Sequence, residues 1–485
     1  MRPVKPVKSV QEINPRLLSA NKYQNKILMK KFYHGLIVCT VLLFCSCNKE
    51  MKEQNVAEPV TSVSIDEARI GKPNIVLILC DDVGYEVPRY AGGLSYLTPN
   101  LDNMARNGMQ FTQCYASPMC SPSRIMLLTG KYNFRNYSGW GALPLTEKTF
   151  ANMLKSAGYN TYVAGKWQLD GGDLAVRTFG FDEYIIFNPY EDQANNHDES
   201  TETRGRYKSP ELYVNGKYLN PATVIGKYCD DILVDSITAY ASKSKAQQKP
   251  FFVYYSMSLA HDPFSPTPDD AAYATWDNRA TNSDTAFFPS MISYMDKKVG
   301  QVLARFDSMG LSRNTIFFFI GDNGTPPQIF SWYNGQLVRG GKMQTNVWGT
   351  HVPMIAYWKG RIKGNAVNNN VIDFTDFLST FADLAQVPKP TTYGQLDGVS
   401  FLNSLVDPNT KIRDWVFCHY DNDRTEDKPL YRYVHNQQYK LYDSTNRFYD
   451  IVNDPSELNN IQPGRRTAEQ VQLATYFQSV LDSLH

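Results

Sequence analysis

The run Asn74-Ile75-Val76-Leu77-Ile78-Leu79-Cys80 is apolar beyond its first residue and passes directly into Asp81-Asp82. A stretch of strand length without polar alternation belongs to a strand covered on both faces, as in a parallel sheet. Comparable runs recur at residues 161–164, 251–255, 315–320 and 354–358, with helical patterns between them. One is residues 99–107, with Thr98 as N-cap, Pro99 in the first turn and Gly108 as the stop. Alternating β and α predicts an α/β fold with a large, mostly parallel central sheet flanked by helices, over residues 71–424. From about residue 425 short polar-aromatic strands (430–435, 438–442, 447–451) and a helix over 467–484 predict a small C-terminal α+β subdomain, 425–485, with a short antiparallel sheet. The polar segment 188–221 reads as a surface insertion carrying a hairpin on Asn215-Gly216.

Charge excludes some functions. Lys and Arg total 49 against 48 Asp and Glu, so the chain lacks the positive field of a nucleic-acid binder. At the other end, Met29-Lys30-Lys31 precedes an apolar stretch, 36–44, too short to span a bilayer as a mature helix, which reads as an export signal. It closes on Ser46-Cys47, similar to a bacterial lipobox, making Cys47 the expected lipidated residue and membrane anchor. Residues 1–28 read as an extension ahead of this signal, and the charged stretch 48–70 as a flexible tether to the cell surface or periplasm. Of eight cysteines, Cys80, Cys114, Cys120, Cys229 and Cys418 remain for the globular part. An odd number in an exported chain implies a free thiol or a cysteine with another task.

Ligands of open α/β sheets collect beyond the carboxyl ends of strands. Asp81-Asp82 and Asp322-Asn323 both follow predicted strands, and this oxygen-only set suits a hard divalent cation, Ca²⁺ before Mg²⁺. Cys120-Ser121-Pro122-Ser123-Arg124 opens a helix that Gly130 ends, placing Cys120 where backbone N–H groups and the helix dipole attract anions. Taken singly, Lys166, His261 and Lys342 read first as a solvated strand end, a structural histidine and a residue of a flexible Gly-rich loop.

Cys120-x-Pro-Ser-Arg124 resembles the motif of the type I sulfatases, of alkaline-phosphatase-like fold, and other segments match that family in order. They are Asp81-Asp82, Thr98-Pro99-Asn100-Leu101-Asp102, Gly165-Lys166-Trp167, Ala260-His261-Asp262-Pro263, Asp322-Asn323-Gly324, Gly341-Lys342 and Val352-Pro353. The resemblance implies that a maturase oxidises Cys120 to formylglycine (3-oxoalanine), and that one Ca²⁺ is held by Asp81, Asp82, Asp322 and Asn323 together with position 120. It implies further that hydrated position 120 attacks sulfur to form a covalent sulfate ester, with Arg124, Lys166 and Lys342 meeting the charge and His261 or Lys342 protonating the leaving alkoxide.

Two positions depart from the pattern. Gln168 stands where the family carries a histidine, and Val347-Trp348-Gly349-Thr350-His351 replaces its usual Glu-Gly-Gly-x-Arg stretch, leaving His351 as a candidate substitute acid or base in the substrate site. Trp140, Trp167, Trp332, Tyr333 and Trp348 suit stacking on sugar rings, which favours a sulfated carbohydrate substrate. A phosphodiesterase or phosphonate hydrolase of the same superfamily and an inactive glycan-binding lipoprotein are the alternatives.

Overall fold

The computed structural model describes residues 71–187, 206–278, 282–421 and 430–484. The signal, the tether and Cys47 lie outside the described residues, as does much of the polar segment after residue 187.

Ten strands run across the main sheet in the order β12 (Ala366–Asn368), β2 (Met109–Tyr115), β11 (His351–Tyr357), β8 (Thr315–Gly321), β1 (Asn74–Cys80), β7 (Phe251–Ser256), β3 (Asn160–Lys166), β4 (Glu183–Phe187), β5 (Tyr213–Val214) and β6 (Lys217–Tyr218), and β13 (Ile372–Asp373) also pairs with β2. The centre, β8-β1-β7-β3-β4, is parallel, as expected; β11 runs antiparallel to both of its neighbours.

Alternate side chains of β1 feed two cores. Ile75, Leu77 and Leu79 pack on one face with Ile125, Leu127, Phe150 and Phe377. Val76 and Ile78 pack on the other with Leu101, Leu233, Met291 and Val299. Burial on both faces explains the absence of polar alternation in β1, since each such side chain gains about 1.5–3 kcal/mol.

Helix α1 (Pro99–Asn107) begins and ends as the sequence predicts, but the Thr98 hydroxyl does not cap it. That hydroxyl accepts from the Arg89 N–H and faces Asp102. The helix start is satisfied instead by Asp296, which accepts from the backbone N–H groups of Asn100 (3.0 Å) and Leu101 (2.8 Å).

Beyond the main sheet, β14 (Val416–Tyr420), β15 (Tyr431–His435), β16 (Tyr439–Tyr442) and β17 (Phe448–Asp450) form a separate antiparallel sheet against the helix Ala468–Ser483. Its first strand precedes residue 425. Among the described residues no helix is long and apolar enough to cross a membrane, and Cys80, Cys114, Cys120, Cys229 and Cys418 are all free and buried.

Candidate active site

The register of β1 with β8 pairs Cys80 with Gly321, so the two acidic segments leave the sheet side by side. Asp81, Asp82, Asp322 and Asn323 are all fully buried. Asp82 takes a left-handed backbone (φ 61°), which aspartate tolerates better than most residues, and its N–H donates to Asp322 Oδ1 at 2.9 Å. The Asn323 amide donates to Asp82 Oδ1 (2.8 Å) and to the Gly324 carbonyl (2.9 Å). Asn323 Oδ1, by contrast, is buried and accepts no hydrogen bond among the described residues. A buried amide oxygen left over beside three carboxylates fits a hard cation. Asp81, Asp82 and His261 also offer ligand atoms within 4.8 Å of one another.

Cationic side chains surround this cluster. Lys166, at the end of β3, donates to both oxygens of Asp81 (3.0 and 2.9 Å). Arg124 donates to Asp322 Oδ2 from Nε (3.1 Å) and Nη2 (2.6 Å), lies 3.4 Å from Asp81, and reaches Ser256 through Nη1. Lys342 Nζ donates to Asp82 Oδ2 at 2.6 Å and to His261 Nε2 at 3.1 Å. Arg206 donates to Asp81 Oδ2 at 3.3 Å, with its guanidinium 5.2 Å from the centre of the Phe187 ring.

Burial raises the proton affinity of Asp81, but the charges of Lys166, Arg124 and Arg206 overcome it and hold the carboxyl well below its usual range. Burial depresses His261, and the charges of Lys342 and Arg206 add to the effect. Its Nδ1 faces the Asp262 carbonyl, so the neutral ring donates there and accepts from Lys342 at Nε2. Four cations therefore face three carboxylates, a net positive cluster before any divalent ion is counted.

Helix α2 (Cys120–Thr129) puts the fully buried Cys120 in its first turn, and Gly130 ends it in a left-handed conformation (φ 66°). The Ser121 hydroxyl accepts from the Gly141 N–H (3.1 Å), while Ser123 donates to the Ser117 carbonyl (2.9 Å). The Lys342 loop is tied to the segment before Cys120 by Met343 N–H donating to the Pro118 carbonyl at 2.9 Å. The fold thus gathers Asp81, Asp82, Arg124, Lys166, His261, Asp322, Asn323 and Lys342 into one linked cluster with Cys120 beside it.

His351 is not in that linked set. Its ring stacks on Tyr85 (3.9 Å between centroids) and on Tyr115 (5.0 Å), and Nε2 donates to the Thr112 carbonyl at 3.0 Å. Burial lowers its pKa to about 4. Gln168 is buried with φ 58°, and its Oε1 accepts no hydrogen bond among the described residues.

Two site residues escaped sequence reasoning. Arg206 and Tyr207 fall within the stretch read as a surface insertion, yet both are buried, and the Tyr207 hydroxyl donates to the backbone carbonyls of Ser258 (2.9 Å) and His261. An Arg-Tyr pair in a polar segment gives no signal of burial.

Comparison with known proteins bears on this arrangement. The family model described as Sulfatase matches residues 73–387, and that of the N-sulphoglucosamine sulphohydrolase C-terminal region matches residues 345–481. The chain is 31% identical over 364 residues to N-acetylgalactosamine-6-sulfatase of Mus musculus, covering 69% of this chain and 66% of that protein. It is 26% identical over 501 residues to N-acetylgalactosamine-6-O-sulfatase of Bacteroides thetaiotaomicron, covering 87% of this chain and 93% of that one. Among solved structures, Ps i-CgsB in complex with k-i-k-neocarrahexaose superposes with a TM-score of 0.69 at 22% identity, over 85% of this chain and 92% of that chain. With the Sulfatase family model matching well over half of the chain and curated sulfatases at about 30% identity, the chain belongs to the sulfatase family of sulfuric ester hydrolases.

Proposed function

We propose that this protein hydrolyses sulfate monoesters on sulfated carbohydrates, with Cys120 oxidised to 3-oxoalanine by a maturase and one Ca²⁺ at Asp81, Asp82, Asp322 and Asn323. The observation that carries the reading is the buried cluster in which four cations outnumber three carboxylates while Asn323 Oδ1 is left without a donor among the described residues. The cation would supply neutralisation of the sulfuryl oxygens. Position 120 presents the nucleophilic oxygen, and the start of α2 adds backbone N–H groups on the same side.

Lys166 and Arg124 fix the carboxylates and place positive charge where the sulfuryl oxygens gather it. Lys342 spends one hydrogen on Asp82 and one on His261, and the third is left for the bridging oxygen of the departing alcohol. His261 orients Lys342 through Nε2.

The named activities of the mammalian and Bacteroides relatives, and the carbohydrate bound by the structural neighbour, favour a sugar sulfate as substrate. Export and lipidation at Cys47, with the main-sheet region as catalytic unit and the C-terminal sheet from Val416 onward as its support, complete the reading.

Intact-peptide mass spectrometry over residues 114–131 of protein made alongside a maturase tests the nucleophile; an unmodified thiol in active enzyme would refute it. Parallel assays with an aryl sulfate and an aryl phosphodiester test the substrate class. Faster turnover of the phosphodiester would transfer the protein to the phosphoryl branch of the superfamily.

A further inference from the structure

The two strands that leave the catalytic cluster do not separate. Lys342 N–H donates to the Thr325 carbonyl at 2.9 Å and Gly340 N–H to the Ile329 carbonyl at 2.9 Å. Next come β9 (Phe330–Tyr333) and β10 (Gln336–Arg339), pairing Phe330 with Arg339 and Trp332 with Leu337. One antiparallel ribbon therefore rises from the site, rooted at Asn323 on one side and Lys342 on the other.

Its inner face is packed. Ser331 is buried and bonds the Tyr96 hydroxyl (2.9 Å), Val338 is buried, and the Tyr333 ring meets Tyr85 and Trp348 edge-on at 6.4 and 5.9 Å. Side chains alternate along a strand, so Phe330, Trp332, Leu337 and Arg339 share the outer face. There Phe330 is 55% exposed, Trp332 51% and Leu337 57%. Trp167, by contrast, is buried, and Trp140 and Trp348 are partly so.

The exposure is not slack. Trp332 is held at its backbone by Ser95 Oγ, which accepts from its N–H at 2.7 Å, and by Leu94 N–H, which donates to its carbonyl at 2.8 Å. Arg339 Nε donates to the Pro327 carbonyl at 2.7 Å, setting the guanidinium 6.0 Å from the Phe330 ring centre.

A rigid, solvent-facing pair of aromatic rings with an arginine beside them has the chemistry of a sugar platform: apolar ring faces for a pyranose and a fork of N–H donors for an anionic substituent. A protein or lipid partner could also cover an apolar face, but continuity with the catalytic cluster favours the substrate chain itself. We infer that the outer face of this ribbon is a second carbohydrate subsite, which binds a neighbouring sugar of the chain whose ester is being cleaved, Trp332 and Phe330 stacking on its ring and Arg339 meeting a further sulfate. The inference rests on the sugar-sulfatase reading above. From Leu337 to Lys342 the ribbon spans about 17 Å at the rise of a strand, too far for one ring, so the subsite acts on oligosaccharides alone.

The test compares wild type with Trp332→Ala and Arg339→Gln on 4-nitrocatechol sulfate, chondroitin 6-sulfate hexasaccharide and a carrageenan hexasaccharide. Binding of both hexasaccharides to the Cys120→Ala variant, with and without Trp332→Ala, is followed by calorimetry. Aryl sulfate turnover is expected to stay within twofold, which also shows that each variant is folded. For at least one hexasaccharide KM and Kd are expected to rise roughly tenfold with Trp332→Ala, and less with Arg339→Gln. Equal losses on aryl sulfate and hexasaccharide, unchanged hexasaccharide constants, or no hexasaccharide binding by the Cys120→Ala protein would each overturn the subsite. None of these would touch the sulfatase reading, which fails instead if wild type releases no sulfate from any of the three.

Discussion

Lys342 is held between Asp82 and His261 with one ammonium hydrogen to spare, and the proton-delivery role makes a specific demand. Lys342→Ala is expected to lower kcat on a sugar sulfate by about 10²–10⁴-fold. On 4-nitrocatechol sulfate, whose leaving group needs no proton, the loss should be far smaller, and similar losses on both substrates would remove the role. Asp230 raises a different question, because burial pushes its carboxyl up to about 6 while Tyr255 donates to it at 2.9 Å. A carboxyl raised in the folded state favours folding below the unfolded value near 4 and loses that contribution as pH rises through about 6. Asp230→Asn keeps an acceptor for Tyr255 and should stabilise the protein by about 2 kcal/mol at pH 8, with no gain at pH 4; urea unfolding at the two pH values checks it. At this scale the sequence was readable where a residue type has few alternative uses, as at Asp81-Asp82 or Cys120 beside Arg124. It was silent at Arg206, whose burial depends on Asp81, far away in the chain, and on the Phe187 ring.

Strands position these residues, and one glycine sets how closely two of them approach. Gly165 has φ 103°, and a Cβ there would lie 1.8 Å from the Ser256 carbonyl oxygen on β7. Gly165→Ala should therefore push β3 from β7, destabilise the fold by about 2–4 kcal/mol, and move Lys166 away from Asp81. Thermal unfolding and sulfate release should fall together. Unbroken apolar runs made the central strands legible, because burial on both faces leaves no place for polar side chains. Strand β2 reads Met-Gln-Phe-Thr-Gln-Cys-Tyr, with three half-buried polar residues, and a pattern of that kind does not separate an inner strand from a surface one. The reversed direction of β11 has no local signature either, since it depends on which edge its preceding loop crosses. The Asp296 cap of α1 is hidden for the same reason: sequence proximity favoured Thr98, whereas the acceptor arrives from the helix Phe288–Ser308.

Across the molecule, the C-terminal sheet braces the loop that carries Lys342. Buried Lys440 donates to Glu457 at 2.8 Å and to the Thr345 carbonyl, Tyr442 donates to Glu457 at 2.6 Å, and Trp348 Nε1 donates to Ser456 at 3.1 Å. Glu457→Ala strands a buried ammonium and should cost about 3–5 kcal/mol, whereas Lys440→Met with Glu457→Leu should recover much of the loss in urea unfolding. The short strands and closing helix of this region were visible in sequence, but not their purpose, because the contacts join residues about a hundred positions apart. The crowding of Arg124, Lys166 and Arg206 around one carboxylate, Asp81, carries its own consequence for turnover. Free sulfate, a dianion, meets this positive charge more strongly than a singly charged sulfate ester does. Added inorganic sulfate is therefore expected to inhibit turnover competitively, which initial rates at varied sulfate and substrate check; no inhibition would show that the three cations are fully spent on Asp81.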